Sequence, residues 1–91
     1  MKKSVRLYID GNVQGVFFRN FVKENADKND VNGFVRNLEG GKVEVFLEGD
    51  NEKVDKVVEV CKVGPKHAQI RNVETKDEKF QGLKGFKILH I

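Results

Sequence analysis

A chain of 91 residues with 38% hydrophobic and 34% charged side chains is long enough for one domain with its own core and too polar for a helical membrane protein. Its 17 basic and 14 acidic residues leave a net charge of +3, which favours anionic partners only weakly. The lone cysteine, Cys61, excludes an internal disulfide and a multi-cysteine zinc site, and no long apolar stretch follows the basic start Met1–Arg6, so a single cytoplasmic domain over residues 1–91 with no secretory leader is expected.

Val5, Leu7 and Ile9 alternate with Arg6, Tyr8 and Asp10, the period of a strand buried on one face. Gly11 and Gly15 bracket a loop, after which Phe18, Phe21, Val22 and Ala26 trace one face of a helix running to about Asn29. Residues 32–38 and 42–48 read as two strands around Glu39-Gly40-Gly41, with Val43, Val45 and Leu47 on one side and Lys42, Glu44 and Glu48 on the other. Asp50 or Asn51 can cap a second helix whose stripe is Val54, Val57, Val58 and Cys61, and Gly64-Pro65 stops it. A fourth strand spans Ala68–Thr75, with a bulge expected where its alternation changes between Ile70 and Val73, and a fifth spans Phe86–Ile91. The order predicts an α+β fold of the ferredoxin-like split βαβ type: βαββαβ plus a short final strand, two helices on one face of a largely antiparallel sheet.

Elimination narrows the chemistry. Ser4 is the only serine and Thr75 the only threonine, so a Ser-His-Asp arrangement is unsupported. Cys61 reads as a small buried hydrophobe rather than a nucleophile. His67 in a loop and His90 near the C-terminal end match no metal-ligand spacing and read as surface histidines. An enzyme built this way is expected to use no metal ion, no cofactor and no covalent intermediate.

Between Asp10 and Glu24 there is no acidic residue. The first helix starts inside that gap, and from Val13 to Arg19 it has neither a side-chain cap for its free N–H groups nor a carboxylate to complement its dipole. Instead Arg19 stands near the positive end. An anion at the loop resolves both anomalies: Gly15 lets the backbone approach, N–H groups point at the oxygens, and Arg19 supplies a fork. The same spacing also allows a plain turn with Arg19 reaching a surface acid. Phe18 and Phe21 read as core; for Val16 and Phe17 core and exposed loop positions are both open. Asn37, before the glycine turn, is a second candidate polar group, although asparagine there is also common turn chemistry.

Taken together these stretches resemble the acylphosphatase family. Residues 11–19, Gly-Asn-Val-Gln-Gly-Val-Phe-Phe-Arg, match its G-x-V-Q-G-V-x-F-R phosphate loop at every fixed position, and Arg36-Asn37-Leu38-Glu39-Gly40-Gly41-Lys42-Val43-Glu44 matches its second motif. Gly49, Gly64-Pro65 with Ala68, and Phe86-x-Ile88 also fit, so the resemblance covers nearly the whole chain. Phe34 stands where Trp is common, Asn29-Asp30 where Leu-Gly is common, and Gly40 where Asp is frequent. The resemblance implies metal-independent hydrolysis of an acyl phosphate to a carboxylate and inorganic phosphate. It implies that Gln14, Gly15, Val16, Phe17, Phe18 and Arg19 hold the phosphate, with Arg19 and Asn37 catalytic: Arg19 on the phosphoryl oxygens, Asn37 orienting the attacking water. No general base is evident beside the loop, so the substrate's own phosphate takes the proton.

The expected partners are a small acyl phosphate and inorganic phosphate, the latter as product and competitive inhibitor, with no nucleic acid, no membrane and a monomeric chain. Two rival classes carry different marks. An RNA-binding module needs exposed aromatics on the central strands, where only Tyr8 and Phe46 are available. A phosphate sensor would keep the anion site without turnover.

Overall fold

Strand β1 (Lys2–Asn12) buries Val5, Leu7 and Ile9, as its alternation requires, and pairs them antiparallel with Leu47, Val45 and Val43 of β3 (Val43–Asp50). Around this central pair the computed structural model, which describes residues 1–90, arranges β2 (Asn32–Asn37), β4 (Gln69–Glu78) and β5 (Phe86–Leu89) in the order β4-β1-β3-β2-β5. Helices α1 (Val16–Lys28) and α2 (Asn51–Val63) pack against each other and share one core with the sheet. The fold is the ferredoxin-like α+β arrangement, with β5 added parallel to β2 so that the sheet is mixed.

The core joins the predicted stripes. Phe18, Val22 and Ala26 of α1 and Val54, Val57 and Cys61 of α2 are buried against Leu7, Ile9, Val35, Val45 and Leu47, while Phe21 and Val58 are half-buried at its margin. Each buried aliphatic side chain contributes about 1.5–3 kcal/mol relative to exposure. Burial also pushes the Cys61 thiol up to about 12 by desolvating its thiolate, which keeps it a packing residue.

Several boundaries differ from the sequence reading. Gly11 and Asn12 continue β1 rather than opening the loop, because they still pair with Ile70 and Gln69 of β4. The bulge falls where the alternation changes: Asp10 faces Asn72 and Gly11 faces Ile70, leaving Arg71 as the extra residue. Strand β4 runs on to Glu78, through a charged stretch whose side chains are mostly exposed on a sheet edge. Strand β5 stops at Leu89, and Ile91 lies outside the described residues. Asp50 occupies the N-cap position of α2 but makes no side-chain capping bond. The β2–β3 connection is a 3-10 turn, Glu39–Gly41, with Gly40 at φ 83°.

The face away from the helices is covered by charged and aromatic side chains. Phe34 stacks on Phe46 at 5.7 Å, and Arg6 lies over the Phe46 ring at 5.0 Å. Glu44 accepts from both Arg6 and Arg36, and Arg6 also faces Glu78. Burial pulls the Arg6 guanidinium down, but its bonds to Glu44 and Glu78 and their charges more than offset this, leaving it above its ordinary value. Phe46 is fully buried beneath this layer, so it offers no face for a stacked base. Glu48, also fully buried, accepts from the Ser4 hydroxyl at 3.0 Å and from the backbone N–H of Gln81 and of Leu83, which ties the segment 79–85 to β3 as it crosses from the β4 edge to the β5 edge.

Candidate active site

The loop between β1 and α1 is held at both ends by core residues. Val13 and Phe18 are buried, and the four residues between them, Gln14, Gly15, Val16 and Phe17, are exposed. Phe18 therefore belongs to the core as expected, and the open question at Val16 and Phe17 resolves to exposure, 53% and 86%. Gln14 anchors the loop sideways: its Nε2 donates to the Leu38 carbonyl at 2.7 Å and to the Lys42 carbonyl at 3.2 Å, fixing it against the turn that follows β2.

Gly15 is the N-cap of α1, with φ 115° and ψ 174°, a conformation that L side chains rarely adopt. A Cβ at Gly15 would meet nothing within 4 Å, so backbone conformation and not space calls for glycine. No side chain caps the helix and its first turn holds no acid. Free N–H groups and the positive dipole end are left facing an exposed loop, a ready site for an anion.

Arg19 is folded back over this end. Its Nε donates to the Gly15 carbonyl at 3.2 Å, its Nη1 reaches His90 Nδ1 at 3.4 Å, and only 9% of the residue is exposed. A guanidinium only donates, so in this contact Nδ1 of His90 is the acceptor. No ion pair of the described residues includes Arg19. The alternative in which it reaches a surface acid is not met among the described residues, none of which neutralises its charge. The sequence reading left His90 as an ordinary surface histidine; it is exposed, yet it touches the candidate arginine, a contact made across 71 residues that only the parallel docking of β5 creates.

Asn37 lies at the same end of the sheet. In the β2–β5 register Arg36 faces Leu89, so Asn37 and His90 each sit one residue beyond the last pair, side by side at the strand ends. The Asn37 side-chain oxygen is buried and has no hydrogen-bond partner among the described residues. Leaving such an acceptor without a donor is destabilising by about 1–3 kcal/mol. His67, the other histidine, is exposed on the α2–β4 connection.

The uncapped start of α1, Arg19 with no acid partner and the Asn37 acceptor with no donor among the described residues form an arrangement suited to an anion on a ferredoxin-like scaffold. The acylphosphatase family model matches residues 5–88, and the chain belongs to the acylphosphatase family. Acylphosphatase of Rubrobacter xylanophilus is 45% identical over 87 residues, covering 94% of this chain and 79% of that protein. Acylphosphatase of Pyrobaculum aerophilum is 47% identical over 85 residues, covering 91% and 90%. The crystal structure of acylphosphatase from Bacillus subtilis superposes with a TM-score of 0.90 at 33% identity, covering 98% of this chain and 99% of that one. The protein is accordingly a hydrolase of acyl phosphates.

Proposed function

We propose that this chain hydrolyses acyl phosphates with Arg19 and Asn37 as its two catalytic side chains and with the backbone of Gln14–Arg19 as the phosphate cradle. The observation that carries the assignment is the uncapped start of α1 under an arginine with no carboxylate partner among the described residues. The cradle N–H groups and the guanidinium bind the phosphoryl oxygens in place of the missing cap and counter-ion. Asn37 Oδ1 accepts a hydrogen from water and turns its lone pair toward phosphorus, which gives the unpaired acceptor its partner.

The bond balance is simple. Water oxygen bonds to phosphorus, the bond from phosphorus to the acyl oxygen breaks, and its electron pair leaves with the carboxylate. One water proton passes to a phosphoryl oxygen, so acyl phosphate dianion and water give carboxylate and dihydrogen phosphate. The leaving group is good, and charge stabilisation with positioning suffices. We further propose that the protein acts as one monomeric domain in the cytoplasm, without a metal ion or cofactor, and that inorganic phosphate competes with substrate. Among the described residues no helix is long and apolar enough to cross a membrane.

The test is phosphate release from an aromatic acyl phosphate in the presence of a chelator. Arg19→Ala is expected to lower kcat/KM by about 10³, the scale of losing a transition-state charge partner, and Arg19→Lys to stay low because a point charge cannot replace the fork. Asn37→Ala should lower kcat by about 10² with the inhibition constant of phosphate little changed, as for a group that acts on water. Wild-type turnover in Asn37→Ala sinks the water-positioning role. Phosphate binding by a folded chain that hydrolyses nothing would make the site a sensor.

A further inference from the structure

Phe17 occupies the one position in the Val13–Arg19 part of the loop motif that the family pattern leaves open, and it points 86% of its surface to solvent between two buried anchors. A phenylalanine that the core does not use is better explained by something it covers. Beside it lies a cavity of about 610 Å³ whose walls are Phe17 and Phe18 on the loop side and Pro65, Lys66, His67 and Ala68 on the α2–β4 connection. The cavity therefore opens from the phosphate cradle itself. Its position across the sheet is informative. Asn37 and His90 flank the loop on the β2–β5 side, whereas the α2–β4 connection flanks it on the side of β1 and β4.

The geometry points to this cavity as the subsite for the acyl group, with Phe17 as the residue that sets acyl specificity toward aromatic and large apolar groups. The inference rests on the hydrolytic reading above. Displacement at phosphorus places the entering and leaving oxygens roughly in line. Water held at Asn37 enters from the β2 side, so the acyl oxygen leaves on the opposite side, toward the cavity. The phenyl ring of Phe17 and the faces of Pro65 and Ala68 then pack on the acyl body. Lys66 and His67, both exposed at the rim, keep the mouth free of negative charge as a dianionic substrate enters.

The test compares kcat/KM for benzoyl phosphate and acetyl phosphate, each corrected for spontaneous hydrolysis, in wild type, Phe17→Ala and Ala68→Leu. Wild type should favour the benzoyl compound, and Phe17→Ala should reduce that ratio about tenfold, the scale of one lost aromatic contact in a pocket. Ala68→Leu fills the cavity from the opposite wall, outside the loop, and should also reduce the ratio. A ratio that stays at the wild-type value in both variants, with both substrates hydrolysed, overturns the subsite and leaves the hydrolytic reading standing. A folded wild type that hydrolyses neither substrate overturns the hydrolytic reading instead.

Discussion

An arginine one turn inside a helix is disfavoured by the dipole by about 0.3–1 kcal/mol, and the first turn beneath Arg19 holds no carboxylate to offset it. The side-chain acceptor of Asn37 likewise has no donor among the described residues. Both residues break a local rule without a compensating contact among the described residues, and on the proposed roles phosphate and water supply it. Cys61 shows the opposite case. Its thiol, ordinarily near 9.0, is pushed up to about 12 by burial, so below pH 9.0 both folded and unfolded chains hold the proton and full stability is kept. As pH rises from 9.0 toward about 12 the unfolded chain releases a proton that the folded one retains, and this contribution to stability is progressively lost. A chromogenic disulfide reagent at about pH 8 should therefore label the native protein at least ~10³-fold more slowly than the urea-unfolded chain. Equal labelling rates would show that the second helix does not bury its thiol.

At the scale of elements, one carboxylate decides the path of the chain from β4 to β5. Glu48 collects the Ser4 hydroxyl and the N–H groups of Gln81 and Leu83, so Glu48→Ala strips an acceptor from three donors at once. A loss of about 3 kcal/mol or more is expected, read as a fall in the urea midpoint with an unchanged slope. A variant as stable as wild type would mean that the crossing is held by other contacts. None of this was legible in the sequence, where Glu48 only reads as facing away from Val43, Val45 and Leu47. The same limit hid the far half of β4, whose charged residues carry no apolar period, and the contact of His90 with Arg19, which needs the parallel pairing of β5. What was legible had a period or a missing partner behind it. The β1 alternation, the α2 stripe, the bulge opposite Asp10 and the uncapped start of α1 each follow from local chemistry, and the motif in residues 11–19 carried the rest.

Over the whole molecule, the sheet order β4-β1-β3-β2-β5 leaves β2–β3 as the only pairing between strands that are neighbours in sequence. Every other ladder closes over at least one intervening helix or strand, and β5 finds β2 only after the chain has passed the opposite edge. The same remoteness governs the cradle. Gln14 meets Leu38 across 24 residues and Arg19 meets His90 across 71. A topology so dominated by distant pairings is expected to fold on the slow side of the two-state range, in about milliseconds to seconds. The central hairpin can form early, but the contact of His90 with Arg19 waits for the last strand to dock. On the proposed role of Arg19, catalysis is expected to return late. After dilution from urea, turnover should return with the slowest conformational phase, never ahead of it. Activity appearing while β5 amides still exchange freely with solvent would mean that the cradle closes without its final strand.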